Sequence, residues 1–149
     1  MLWLCYLRRD KVYLPTAGAV SKGHYRDTEP VAVVPAADTA SLRTALGETF
    51  FRGNPAVPDL LRANHPPPVF LKYAGVKTWD AFARGTSVWQ IEEKNGVFQI
   101  MPTQKSAQGG WVVNRAAIKT LPVGSTVDDV VERMVAVLQD AAQQITSTS

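Results

Sequence analysis

The stretch KGHYRDTEP, residues 22–30, brings together His24, Tyr25, Arg26, Asp27 and Glu29. An imidazole beside carboxylates is the raw material of general acid–base catalysis, and the same groups can ligate a metal. Either chemistry needs a second group held in place. The chain has two histidines, and the other, His65, lies in NHPPP, where three prolines impose extended backbone. Nothing in the pattern brings His24 and His65 together, so a histidine-dependent ribonuclease is the weakest of three functional readings.

Other catalytic patterns are missing. There is no glycine-rich phosphate loop followed by Lys-Ser/Thr, no HExxH, no paired-cysteine spacing and no GxSxG elbow. Glu92 and Glu93 are adjacent in a strand-like run, so their side chains point to opposite faces and cannot act as a pair. Cys5, the single cysteine, sits inside LWLCYL and reads as a small buried hydrophobe. The sequence therefore predicts no catalytic residues, no metal site and no cofactor, and directs attention to binding.

Candidate contact residues follow from exposure and chemistry. They are Tyr25, Arg26, Asp27 and Glu29 in the polar stretch, His65 in the proline loop, Trp79 beside a loop, and Glu92 and Lys94 on a hairpin. Arg26 is expected to pair with Asp27, Glu29 or a neighbouring group. A second reading takes Arg8, Arg9, Lys11, Lys22 and Arg26, beside Tyr25, as a nucleic-acid surface. Its affinity would fall steeply with salt.

The elements that must position these residues are legible in outline. Residues 2–7 are apolar at nearly every position, as in a strand covered on both faces. KVYLP, 11–15, returns as its hairpin partner, and 16–25 reads as a looser connection. Pro30 to Pro35 is a proline-bounded strand, suited to an edge. In DTASLRTALGETFFRGNP, Asp38 or Thr39 caps a helix whose apolar face is Leu42, Ala45, Leu46, Thr49 and Phe50, stopped by Gly53.

PAVPDLLRANHPPP is an irregular surface crossing with one turn of helix at 59–63. VFLKYAG, 69–75, reads as a strand, and TWDAFARG as a short helix capped by Thr78. In SVWQIEEKNGVFQIMP, Asn95-Gly96 signals a two-residue hairpin turn. That register sets Glu93 opposite Phe98 and Ile91 opposite Ile100. Trp89, Ile91, Phe98 and Ile100 share a dry face, and Gln90, Glu92, Lys94 and Gln99 a wet one. WVVNRAAIKTLP offers one more strand or strand-like segment. The last helix starts at Ser125 or Thr126 and carries the stripe Val127, Val130, Val131, Met134, Leu138, Ala141 and Ile145. The expected fold is α+β: a mostly antiparallel sheet with a central helix and a long C-terminal helix packed on it. One domain spans 1–145, and 146–149 forms a disordered tail.

With 149 residues, 46% hydrophobic and 19% charged, the chain is globular in composition. No apolar run is long enough to span a membrane, and MLWLCYLRRDK has the wrong order for a secretory signal. With a lone cysteine, this points to the cytoplasm. The net charge of +3 is too small to name a partner. Residues 1–28 carry five basic and two acidic side chains, and 121–149 one basic and four acidic, so the ends are of opposite sign. Oligomeric state is not legible.

At KVYLPT…GHYRDTEPVAVV, RGNP, PPVFLKYAGVKTWDAFARG and WQIEEKNGVFQIMP the chain resembles the immunity proteins of bacterial contact-dependent growth inhibition. The resemblance covers residues 12–138. It implies a cytoplasmic, non-enzymatic inhibitor whose partner is a cognate toxin domain, typically a nuclease, blocked by protein–protein contact. It carries over no individual contact residues. Nuclease inhibitors are often acidic, and the +3 charge departs from that pattern, which argues against simple mimicry of phosphate.

Overall fold

The computed structural model describes residues 1–59 and 68–148. Among them, seven strands form one antiparallel sheet: β1 (Leu2–Arg8), β2 (Lys11–Ala19), β3 (Tyr25–Pro35), β4 (Thr86–Lys94), β5 (Val97–Lys105), β6 (Trp111–Val113) and β7 (Lys119–Thr120). The order is β3-β2-β1-β4-β5-β6, with β7 also paired to β5. The helices are α1 (Thr39–Arg52), α2 (Leu71–Ala74), α3 (Trp79–Ala83) and α4 (Val127–Thr148). The α+β class expected from the sequence is the one observed.

Strand alternation assigns the central residues to two layers. Trp3, Cys5 and Leu7 of β1, Val12 and Leu14 of β2, Trp89 and Ile91 of β4, and Phe98 and Ile100 of β5 face one side. There α1 contributes Leu42, Ala45, Leu46 and Phe50, and α4 contributes Val130, Val131, Met134, Val135 and Leu138. Tyr6, Tyr13 and Val88 face the other side, where Phe70, Leu71 and Phe82 cover them. The continuous apolar run of β1 exists because that strand is dry on both faces.

Local signals account for the long helices. Asp38 caps α1 by accepting from the Ser41 amide at 3.1 Å, and Gly53 ends it. At the start of α4, the Thr126 amide donates to Asp129 at 2.8 Å and the Asp129 amide donates to Thr126 Oγ1 at 3.3 Å, a capping box with Asp in the third position. Val127 is 37% exposed and falls outside the core stripe, whereas Val135 joins it. The helix also continues to Thr148, through the residues read as a tail.

The hairpin register is the one the sequence predicts, with Lys94 opposite Val97 and Ile91 opposite Ile100. Asn95 and Gly96 both have positive φ, at 54° and 76°, as that turn requires.

Four local expectations need correction. Residues 16–19 extend β2 rather than forming a loose connection. Tyr25 to Glu29 belong to β3 rather than to a loop, pairing from Ala19–Tyr25 to Thr16–Thr28. Pro30 is then inside the strand, tolerated because β3 lies at the sheet edge and needs no further partner. VFLKYAG forms the single turn α2 instead of a strand: Gly75, at φ 69°, closes it by donating to the Leu71 carbonyl, and the turn buries Phe70 and Leu71. Finally, WVVNRAAIKTLP splits into β6, a 3-10 turn and β7.

Candidate functional site

The polar stretch that suggested chemistry lies on the edge strand, and the turns α2 and α3 stand beside it. Between them opens a cavity of about 950 Å³, lined by Arg26, Asp27, Thr28 and Glu29 of β3 and by residues 68–72, 76, 77 and 79. Four expected contact residues thus come together: Arg26, Asp27, Glu29 and Trp79. The remaining four do not join them. Tyr25 is 41% exposed and off the cavity wall. Glu92 and Lys94 sit near the hairpin turn, away from the cavity lining. His65 lies outside the described residues, as does most of the helical turn expected at 59–63.

Asp27 is tied to the first strand. The Tyr6 hydroxyl donates to its Oδ2 at 2.6 Å. Burial pushes the carboxyl up to about 6, against the opposing pull of the Tyr6 hydrogen bond. Burial, together with the nearby Asp27 charge, also holds the Tyr6 phenol well above its ordinary value. Among the described residues Asp27 has no ion-pair partner. Tyr6 reaches it from β1, across β2, because the phenol is long and its ring is packed among Phe70, Phe82 and Trp111. A buried tyrosine seeks a partner for its hydroxyl. That rule marks Tyr6 in LWLCYL as a residue with an unseen acceptor, but it does not say which.

Glu29 does different work. Its carboxylate takes Lys72 Nζ at 2.8 Å and the Tyr73 hydroxyl at 2.7 and 3.0 Å, and the Lys72 and Tyr73 hydrogen bonds hold it below the usual carboxylate range. Glu29 therefore ties α2 to the edge strand. Lys72 and Tyr73 were missed because VFLKYAG was read with a strand period; the spacing of Phe70, Leu71 and Ala74 before Gly75 was the available signal.

Arg26 pairs with neither nearby carboxylate. Its Nη2 donates to the Pro58 carbonyl at 3.2 Å, and its Nε is buried with no hydrogen-bond partner among the described residues. Pro58 is brought there by the crossing after α1. Ala19 donates to the Pro55 carbonyl at 2.8 Å and Val57 donates to the Ala19 carbonyl at 2.9 Å. Gly18 makes this approach possible, since a Cβ there would stand 2.6 Å from a Val57 methyl.

Trp79 is half-buried and forms the wall between this cavity and a smaller one of about 320 Å³. Its indole stacks on Phe82 at 5.7 Å and meets Trp111 edge-on at 5.3 Å. Both tryptophans adjoining loops are thus packed on the second aromatic layer. The wet face expected of the 88–101 hairpin is wet only near its turn, because Val88 and Met101 are buried on that side.

The basic residues of the nucleic-acid reading are divided. Arg8 pairs with Lys11 beside the β1–β2 turn, whereas Arg26 pairs with Gly18 at the far end of β2. Seven residues of strand separate Lys11 from Gly18, about 23 Å at roughly 3.3 Å per residue. Among the described residues there is no group of three His, Cys, Asp or Glu placed to hold a metal, and no helix is long and apolar enough to cross a membrane. Cys5 is fully buried, and burial pushes its thiol far up, which suits a packing role.

No protein-family model matches the sequence, and no curated protein matches it either. Solved structures do share the fold. A protein of unknown function, NMB0488, from Neisseria meningitidis aligns with a TM-score of 0.64 at 13% identity, over 94% of this chain and 93% of that one. A chain of the CdiA-CT/CdiI toxin and immunity complex from Yersinia pseudotuberculosis aligns with a TM-score of 0.62 at 11% identity, over 95% of each chain. At such identities the likeness establishes the fold.

Proposed function

We propose that this protein is an immunity protein: a cytoplasmic, non-enzymatic inhibitor that binds the C-terminal toxin domain of a contact-dependent growth inhibition system, a nuclease, and neutralises it by protein–protein contact. The observation that carries this reading is the end-to-end likeness of fold to a chain from a toxin and immunity complex. It agrees with the resemblance in the sequence, which rests on residues rather than on backbone.

The contact surface is the face holding Arg26, Trp79 and the cavity rim. It combines a half-buried aromatic, an arginine and desolvated polar atoms, the composition typical of binding hot spots. Its acids are already engaged, Asp27 by Tyr6 and Glu29 by Lys72 and Tyr73. Imitation of a phosphate backbone by these two carboxylates is therefore a poor account of inhibition. Blocking the toxin by occlusion fits the charge better.

Isothermal titration against the toxin domain encoded beside this gene tests the reading. Submicromolar binding is expected, and Trp79→Ala should weaken it by about 2 kcal/mol or more, in the range of interface hot spots. Absence of binding at micromolar concentration would sink the proposal.

A further inference from the structure

The carboxyl of Asp27 lines the larger cavity without a counter-charge. Strand alternation sets Asp27 and Glu29 on one face of β3 and Arg26 on the other. Arg26 turns to the Pro58 carbonyl at 3.2 Å, and its charge acts on Asp59. Lys72 is taken by Glu29 at 2.8 Å, and Asp27 forms no ion pair among the described residues. Burial pushes the Asp27 carboxyl up to about 6, and what opposes that is the Tyr6 hydrogen bond, not a cation. At neutral pH the group is therefore largely ionised. The Tyr6 hydroxyl occupies Oδ2, which leaves Oδ1 with no hydrogen-bond partner among the described residues. Unlike the sealed Arg26 Nε, Oδ1 is open to the cavity that Asp27 lines.

The wall opposite is apolar, with Val69, Phe70, Leu71, Val76 and Trp79 among the lining residues. A volume of about 950 Å³ falls within the roughly 300–1,000 Å³ of small-molecule sites, which pair apolar walls with a few placed polar groups. We propose that this cavity binds a small amphiphilic amine, its ammonium on Asp27 Oδ1 and its apolar body against Val69, Val76 and Trp79. A half-buried carboxylate without a counter-ion carries a desolvation cost. An ammonium offsets it through a charge-assisted hydrogen bond, which a neutral hydroxyl matches only in part. A carboxylate head group would instead face the charge of Asp27. This site goes beyond the toxin-binding reading and does not depend on it.

Heteronuclear NMR titration at neutral pH with phenylpropylamine, phenylpropanol and phenylpropionate tests the assignment, because the three probes share a body and differ in charge. Phenylpropylamine should bind best, about tenfold more tightly than phenylpropanol. It should move the Trp79 indole N–H and the amides of Asp27 and of Val69 to Lys72. Asp27→Asn removes the charge and keeps an acceptor for the Tyr6 hydroxyl. That variant should bind the amine no better than the alcohol, with the alcohol itself nearly unchanged. The wild-type ranking needs no variant and stands as a test by itself. The proposal is overturned if the acid binds best, if amine and alcohol bind wild-type protein equally, or if Asp27→Asn keeps the preference for the amine. Cavity resonances unmoved by millimolar probe would overturn it as well. Toxin affinity is a separate readout, so failure here leaves the immunity reading standing.

Discussion

On one face of the sheet, α1 and α4 help bury a cluster of twenty residues, most of them aliphatic. On the other, among the described residues, the short turns α2 and α3 complete a cluster of six, four of them aromatic. The first face is closed by helices of 14 and 22 residues, long enough to cover the strands beneath. Among the described residues the second is covered by helices of 4 and 5 residues, beside which a cavity remains. The cavity and the half-buried Asp27 fall on that second side. Long helices exclude water from aliphatic side chains on the first face, and the short ones leave a cavity beside the edge strand on the second.

The contrast can be broken most directly by opening each core in turn. Leu46 is fully buried in the aliphatic cluster, and Leu46→Ala should cost about 4 kcal/mol, high in the range for such cavities, because regular elements on both sides cannot collapse inward. Phe82 is equally buried, yet Phe82→Ala should cost about 3 kcal/mol, at the low end for its type, since a five-residue helix can move to fill the space. Urea unfolding measures both. The reverse order would mean that the aromatic face carries the fold.

Asp27 gives the next effect in size, and its sign is opposite to that of most carboxylates. Its folded value of about 6 lies above the ordinary 3.8, so the native state holds the proton more tightly. The stability this confers is present at acid pH and is lost as pH rises from about 4 to about 6. Glu29, Asp38, Asp59 and Glu132 are shifted down and lose their contributions as pH falls, so the whole-protein profile mixes both signs. The difference between wild type and Asp27→Asn isolates the one group. The variant should be more stable at neutral pH by about 1–3 kcal/mol and lose that advantage near pH 4. A constant difference across that window would show that the carboxyl is not held in its neutral form.

The smallest effect sharpens the contrast from the aliphatic side. Arg43 and Glu132 join α1 to α4 by an ion pair at the exposed helix surface. Such pairs contribute little because water and salt already solvate both charges. Arg43→Ala should leave the urea midpoint within measurement error, and more so at high salt. A clear loss would mean that charge as well as apolar burial holds these helices on the sheet.

Legibility in the sequence followed the range of the forces involved. The 88–101 hairpin was readable to the residue, since Asn95-Gly96 sets the turn and the turn sets every pair. The buried face of α1 was readable because Leu42, Ala45, Leu46, Thr49 and Phe50 recur at helical spacing between two caps. Asp27 and Glu29 stood out in the sequence as polar residues, but the side chains that hold them within the fold did not. The Tyr6 hydroxyl is 21 positions from Asp27 and the Tyr73 hydroxyl 44 from Glu29. Nothing local connects residues so far apart. The short turn at 71–74 was misread because its helical signal, Phe70, Leu71 and Ala74 before Gly75, spans a single turn and competes with an equally short strand pattern.

By itself, then, the sequence determined the class of fold, the long helices with their buried faces, the hairpin register and the shortage of catalytic motifs. Each of these depends on neighbours within a few positions, through capping, turn geometry and hydrophobic period. Only the tertiary structure decided that the polar stretch is the edge of a sheet, and that its two carboxylates part company. Asp27 turns to a buried phenol on β1 and Glu29 to a lysine and a tyrosine on α2. The physical reason is that a carboxylate takes whichever donor packing brings within about 3 Å, and that choice belongs to the whole fold.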